Sequence, residues 1–311
     1  MTTLPDSSPT GETKPHSDHH LRAILLALLV TFLWSTSWVL IKFGLRDNLP
    51  PITFAGIRYV IAFFCLVPFI AFNPAERQSL RSVPRKTWWQ LALLGAVYYA
   101  LTQGTMYMSL VSLTSATLTL LLNLTPVLVA LFSTALQSES PSPRQWLGIA
   151  VAVVGVLVFF LPLSMERSQL PGFIIGIICL IGNAASSLLG RKANHTTGLS
   201  PLLVAAISIG FGGAIMLLVG GVSQGFGTID LAQWGVILWL AVVNTALAFT
   251  IWNKTLQTLT AVESSIINGA MMPQVAILAW IFLGEALNLR QVIGLVLVGV
   301  GTLVVQLRRK G

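Results

Sequence analysis

The stretch RQWLGIAVAVVG at residues 144–155 returns near the carboxyl end of the chain as RQVIGLVLVGVG at residues 290–301. Both copies open with Arg-Gln and continue as an apolar run with two glycines seven residues apart. Further matches follow in the same order along the chain, among them Lys42 with Lys192. An ordered series of matches indicates that the two halves are copies of one unit.

The composition places both copies in a membrane. Of the 311 residues, 55% are hydrophobic and only 9% are charged, against roughly 25% charged in a typical soluble protein. A soluble fold of this length needs a charged shell, so the composition excludes a soluble enzyme, a disordered chain and a nucleic-acid-binding domain. The two cysteines form no metal-ligand pattern, and we expect no cofactor and no metal.

Ten apolar runs follow a polar segment at residues 1–20, which we expect to be a disordered cytoplasmic tail. Each run is near the ~20 residues that a helix needs to cross a bilayer. The predicted spans are 22–44, 51–72, 88–109, 114–136, 144–163, 171–191, 201–221, 234–255, 261–283 and 289–307.

Helix-start patterns support several of these spans. Ser142 and Gln145 form a capping-box pattern, as do Thr260 and Glu263. The pairs Asp230–Gln233 and Asn288–Gln291 have the same spacing and suit the same kind of cap.

The loops predict the orientation of the chain in the membrane. Ten spans place both termini on one side, and that side holds thirteen of the eighteen lysines and arginines, against four on the other. The positive-inside rule then makes both termini cytoplasmic. We therefore expect a multi-pass protein of the inner membrane.

Each repeat holds five spans, and an odd number inverts the second copy across the membrane. The first repeat covers residues 21–163 and the second 171–308. The predicted fold is an all-α polytopic membrane protein with ten transmembrane helices as two inverted five-helix repeats. Inverted repeats are an architecture of transporters, although a duplicated scaffold that transports nothing also fits.

Three segments carry a family resemblance: FLWSTSWVLIKFGL (32–45), PPITFAGIRYVIAF (50–63) and WIFLGEALNLRQVIGLVLVGVG (280–301). The chain resembles the EamA family of the drug/metabolite transporter superfamily over both repeats. The third segment contains a Gly-Glu motif of the superfamily, at Gly284-Glu285. The first repeat departs from this motif, with Ser138-Glu139 in its place. The resemblance implies a ten-helix exporter or permease for amino acids or other small metabolites. It also implies a central cavity lined by helices 1, 3, 4, 6, 8 and 9, with helices 5 and 10 bracing the two halves.

No acidic residue or histidine falls in the middle of a predicted span. A proton-coupled antiporter usually keeps such a group inside the bilayer, and a pump for lipophilic cations would want a buried carboxylate. Neutral or zwitterionic solutes are therefore favoured, while coupling through Glu263 or Glu285 at helix ends stays open.

The spans nevertheless carry aromatic and amide side chains that suit a small amphipathic solute. Arg58 is the one basic residue well inside a span, either as a functional group or as a side chain that snorkels to the surface. For the other candidate residues, the alternative to substrate binding is contact between helices. The candidate substrate-binding residues are Trp34, Trp38, Arg58, Tyr99, Gln103, Asn123, Asn244 and Asn268.

Two prolines, Pro126 and Pro273, lie near the middle of spans four and nine at matched places in the repeats. A proline removes one backbone hydrogen bond and bends a long helix. The neighbouring amides Asn123 and Asn268 are candidate partners for the freed carbonyls. The pair is therefore predicted to form hinges, with a static kink as the alternative.

The sequence thus predicts a transporter and not an enzyme, since no serine elbow, metal cluster or carboxylate pair lies at membrane depth. Its expected partners are a small-molecule substrate and the lipid bilayer, without nucleic acid. Among transporters, the alternative is a carrier for anions such as nucleotide sugars or phosphate esters. Such a carrier would need several buried cations in its cavity. Both a monomer and a homodimer remain open.

Overall fold

The computed structural model describes residues 15–46, 49–137, 142–161 and 166–306, and over these it is helical without any strand. Two of its ten long helices contain a π-helical stretch, and two are broken near the middle. The long helices are α1 (Pro15–Gly44), α2 (Pro51–Ala71), α3 (Arg85–Leu94, π-helical Gly95–Gln103, Gly104–Ser112), α4 (Ser115–Leu122, Thr125–Gln137), α5 (Pro143–Phe160), α6 (Leu170–Thr196), α7 (Pro201–Ser223), α8 (Leu231–Ala241, π-helical Val242–Leu247, Ala248–Thr255), α9 (Ala261–Gly269, Met271–Leu283) and α10 (Leu289–Gln306). A short surface helix, Pro74–Arg81, links α2 to α3.

Nine of these helices are long and apolar enough to cross a membrane, counted over the described residues. The exception is α3, although its counterpart in the second repeat, α8, is among the nine. The all-helical architecture in two repeats is confirmed, and the tenth span stays a prediction.

The predicted disordered tail is too long at its carboxyl end. The tail was expected to reach residue 20, but α1 begins at Pro15, and residues 1–14 lie outside the described part of the chain. Proline is well tolerated in the first turn of a helix. His20 also makes a contact with Glu263 at the start of α9, which gives the first turns of α1 a tertiary partner.

The predicted helix starts are confirmed. Full capping boxes, in which cap and third residue bond to each other's backbone, open α5, α8 and α9. Asn288 and Gln291 exchange the same pair of hydrogen bonds before α10. These caps fix where four of the helices begin.

Helices α5 and α10, which occupy equivalent places in the two repeats, pack along a glycine seam. A Cβ on Gly155 would lie 2.7 Å from the backbone nitrogen of Val298, and one on Gly301 would lie 2.5 Å from that of Ala152. Only glycine allows the two backbones to approach so closely. The seam therefore joins the two halves.

A second equivalent pair, α2 and α7, is joined in the same way. A Cβ on Gly56 would lie 2.6 Å from the nitrogen of Leu217, and one on Gly220 would lie 2.6 Å from that of Thr53. The largest apolar core surrounds this pair. With two tight seams as braces, the remaining helices are left to surround an interior space.

Candidate functional site: a central cavity

A cavity of about 1400 Å³ lies between the two repeats. It is lined from all six of the helices that the family resemblance implied, and also from α2 and α10. All eight candidate substrate-binding residues line it, and so do Pro126 and Pro273. The structure thus brings these side chains together around one space, and their role in binding stays a prediction.

The cavity surface is largely uncharged. Its apolar part includes the aromatic side chains of α1, α3 and α8, and its polar part consists mostly of hydroxyls and amides. Arg58 is the single charged residue among the described residues that line the cavity. A space of this kind suits a small, partly apolar solute better than a multiply charged one.

The contact between α1 and α8 is built around Asn244. The Trp34 indole Nε1 donates to the backbone oxygen of Asn244 over 3.1 Å. The Asn244 side-chain Nδ2 donates in turn to the Ser37 hydroxyl over 2.8 Å and to the Leu33 carbonyl. The Trp34 ring also packs against Trp252, with 5.2 Å between ring centroids. These contacts hold the aromatic wall of the cavity in one orientation.

Arg58 is held by hydroxyl groups from both repeats. Its Nε and Nη2 donate to the Thr245 hydroxyl over 3.2 and 3.1 Å, and its Nη1 donates to the Tyr107 hydroxyl over 2.8 Å. Tyr59, which sequence reasoning missed, lies beside the guanidinium with its ring centroid 5.1 Å away. The side chain is 5% exposed and lines the cavity, so it does not snorkel to the surface.

The π-helical segments of α3 and α8 occur at corresponding places in the repeats. In each, a threonine hydroxyl bonds the carbonyl five residues earlier: Thr102 to Val97, and Thr245 to Leu240. Wide turns of this kind are frequent at functional sites. Here the wide turn of α8 carries both Asn244 and Thr245 to the cavity.

At the end of the bundle away from the described termini, the two repeats meet through an ion pair. The Lys42 Nζ lies 2.9 Å from Glu285 Oε1, and the backbone nitrogen at Ser115 donates to Glu285 Oε2 over 2.7 Å. Gly284, in the left-handed region with φ of 69°, ends α9 and lets the chain turn there. The sequence placed Glu285 at a helix end, and its pairing with Lys42 was missed. The Gly-Glu motif at residues 284–285 was the sequence signal that pointed to this contact.

At the other end, α4 and α9 are less closely packed. The first half of α4 packs against the second half of α9, whereas the described parts of Thr125–Gln137 in α4 and Ala261–Gly269 in α9 make at most sparse contact. His20 Nε2 lies 2.9 Å from Glu263 Oε1 and joins α1 to α9 at this end. The backbone N–H of Thr260 lowers the pKa of Glu263, which keeps this carboxylate ionised. The repeats are therefore joined closely at the Glu285 end of the cavity and are less tightly packed at the Glu263 end.

The breaks in α4 and α9 precede the two prolines. Helix α4 is interrupted at residues 123–124 before Pro126, and α9 at Ala270 before Pro273. The carbonyl of Leu122 accepts a hydrogen bond from the Thr125 hydroxyl over 2.6 Å. Asn123 was expected to donate a hydrogen bond to this carbonyl. Its side-chain amide donates instead to the carbonyl of Thr119, four residues earlier in the same helix, because an asparagine side chain readily bonds to the backbone of its own helix.

Comparison with known proteins gives a family and a fold. The sequence profile of the EamA-like transporter family matches residues 21–161 and 170–307. A relative from Salmonella typhimurium named "Probable amino-acid metabolite efflux pump" is 28% identical, over 89% of this chain and 92% of the relative. A Chlamydia trachomatis protein named "S-adenosylmethionine/S-adenosylhomocysteine transporter" is 23% identical, over 85% of this chain and 83% of that protein.

One solved structure, titled "Crystal structure of protein", has a TM-score of 0.65 and covers 92% of this chain and 97% of its own. Its sequence is 18% identical, so this likeness shows the fold alone.

Proposed function

Because the chain belongs to the EamA-like transporter family, we propose that it exports amino acids or related neutral or zwitterionic metabolites by alternating access. The observation that carries the proposal is the cavity between the inverted repeats, which has aromatic and neutral polar walls and a single cation among its described lining residues. A solute with no net charge suits such a site, since a buried unbalanced charge is costly.

The names of the two relatives point to the same class of solute. One is named for amino-acid metabolites and the other for S-adenosylmethionine and S-adenosylhomocysteine, both of which carry an amino-acid end. We place the protein in the inner membrane with both termini in the cytoplasm, as the loop charges predict. In this orientation the closely joined end with Glu285 faces outward and the less packed end faces the cytoplasm.

The experiment is metabolite profiling of the medium from cells that overexpress the protein, followed by a toxicity-rescue test with the enriched compound. We expect one or a few amino-acid metabolites to accumulate outside the cells and to become less toxic. Trp34→Ala, in the cavity wall, should abolish both effects, whereas Trp89→Ala, on a side chain that is 77% exposed, should preserve them. Accumulation of phosphate esters or nucleotide sugars alone would contradict the proposal.

A further inference from the structure

Arg58 carries a charge that no carboxylate of the described residues balances. It is 5% exposed inside a helix that is long and apolar enough to cross the membrane. The ion pairs among the described residues involve Lys42 with Glu285 and His20 with Glu263, and no carboxylate lies within ion-pair distance of Arg58. A buried charge is costly unless a counter-charge accompanies it. The missing partner is therefore an anion.

The guanidinium is also left with unused donors. It has five N–H groups, and the hydroxyls of Thr245 and Tyr107 take one from each nitrogen. Nη1 and Nη2 each keep a second N–H, and the residue lines the cavity. Two neighbouring N–H groups on a planar fork match the two oxygens of a carboxylate.

Asn244 supplies the opposite kind of group. The Leu33 carbonyl, which only accepts, fixes the Asn244 Nδ2 on its side, so the orientation of the amide is determined. The Oδ1 atom has no hydrogen-bond partner, although the residue is only 1% exposed and lines the cavity. A buried acceptor left unpaired costs about 1–3 kcal/mol. The residue lines the cavity and the atom itself has almost no accessible surface, so a small movement of the amide would present this acceptor to a donor of the ligand.

A second residue of the cavity wall also carries an unpaired polar atom. The Thr119 hydroxyl on α4 has no partner, and the residue is 4% exposed and lines the same cavity. Residues that carry an unpaired polar atom therefore line the cavity from both repeats.

We propose that the cavity binds an α-amino acid or a derivative with a free amino-acid end, with the carboxylate on Arg58 and the ammonium group on Asn244 Oδ1. This inference rests on the proposed function and narrows its substrate class. Thr245, which holds the Arg58 guanidinium, is the residue that follows Asn244 in α8. A phosphate ester fits less well, because its two negative charges would meet one cation and unpaired acceptor oxygens.

The test compares several probes for binding to the unaltered protein and for flux through it. The probes are L-leucine and L-methionine, their amides, which lack the carboxylate, and their des-amino acids, which lack the ammonium group. Glycerol 3-phosphate serves as the phosphate ester. Binding is followed by tryptophan fluorescence in detergent, and flux by uptake into liposomes. We expect at least one amino acid to bind and to move, with its amide and its des-amino acid each at least tenfold weaker.

Variants then assign the anchors. Arg58→Gln should lose the preference for an amino acid over its amide, and Arg58→Lys should recover part of it. Lys192→Gln removes an exposed cation outside the cavity and should keep the full preference. Asn244→Asp should bind the amide, a cation, more tightly than the unaltered protein does. Thermal unfolding of each variant shows whether it is folded, and the analogue series on the unaltered protein stands without any variant.

The outcomes separate the inference from the proposed function. Flux of amino acids with equal binding of the amides and des-amino acids would overturn the inference and leave the function intact. Selective binding of amino acids without flux would support the inference and contradict export. Preference for glycerol 3-phosphate over every amino acid, or no binding and no flux for any probe, would overturn both.

Discussion

At the scale of single residues, Glu285 joins the two repeats at one end of the bundle. Its carboxylate meets the Lys42 ammonium at 2.9 Å and the first backbone N–H of α4 at 2.7 Å. The Glu285 side chain is 10% exposed and that of Lys42 is 21% exposed. Hydrogen bonds to charged groups are stronger than those between neutral groups, and water competes little for groups as buried as these. Glu285 therefore links the Gly-Glu turn of the second repeat to two helices of the first.

We expect Glu285→Gln to weaken this end by about 1–3 kcal/mol, because the amide keeps the shape and loses the charge. The melting temperature in detergent should fall, and residues beneath the ion pair should become accessible to an impermeant thiol reagent. Glu166→Gln, at an exposed residue before α6, is the matched control and should change neither. Identical behaviour of the two variants would show that Glu285 does not hold the end closed.

Sequence reasoning identified the cavity residues but not their partners. Aromatic and amide residues in apolar spans stand out from composition alone, so Trp34 and Asn244 could be selected. Arg58, in contrast, is held across the repeats by Thr245, 187 positions away along the chain. No local pattern contains such a contact, since it depends on how the two repeats pack. The pairing of Lys42 with Glu285 was missed for the same reason.

At the scale of helices, α4 and α9 combine a break and a proline at matched places. Each break lies within three residues of its proline. The break leaves two half-helices joined by a few residues, which allows one half to move while the other stays packed. In this structure the described halves of α4 and α9 pack closely at the Glu285 end and less closely at the other.

We propose that these breaks are hinges, and expect Pro126→Ala and Pro273→Ala to fold and bind solute but to transport it more slowly. Each restores a backbone hydrogen bond that proline forbids. The two variants should favour states open to opposite sides in a cysteine-accessibility assay. Pro68→Ala, in the exposed part of α2, is the control and should leave flux unchanged. Parent rates for both hinge variants would mean that the bends are static.

The α5–α10 seam gives a prediction on stability. A Cβ at Gly155 would lie 2.7 Å from the Val298 nitrogen, so Gly155→Ala forces two backbones apart, and overpacking of this kind costs about 1–3 kcal/mol. Gly235→Ala on α8 meets open space and should be neutral or slightly stabilising, because alanine favours helix. Thermal unfolding of both variants in the same detergent is the measurement. A Gly155→Ala protein as stable as the parent would contradict the tight seam.

At the scale of the whole molecule, the two-repeat helical fold followed directly from the sequence. Hydropathy and loop charge are sums over neighbouring residues, so they could be evaluated without knowing any tertiary contact. The start of α1 could not be fixed in this way, because a polar segment becomes helical when another part of the chain contacts it. Which end of the cavity is closed also lay outside the reach of the sequence.

The orientation of the molecule has its own test. In a chain with Cys65 and Cys179 replaced, a single cysteine at Ser79, between α2 and α3, should be shielded from an impermeant thiol reagent outside intact cells. One at Ser223, at the end of α7, should react. Both changes are serine to cysteine, so the intrinsic reactivity of the label is matched. Labelling at Ser79 but not at Ser223 would reverse the proposed topology.

The central claim is that the cavity opens to each side of the membrane in turn, and counterflow tests it most directly. Liposomes containing the protein are loaded with an unlabelled amino acid that it transports, then diluted into a trace of the labelled form at equal pH on both sides. An alternating-access carrier must return to the outer face, and a loaded carrier returns with solute. We expect the label to accumulate transiently above its outside concentration. Uptake that only equilibrates, or that equals the uptake of protein-free liposomes, would contradict the account.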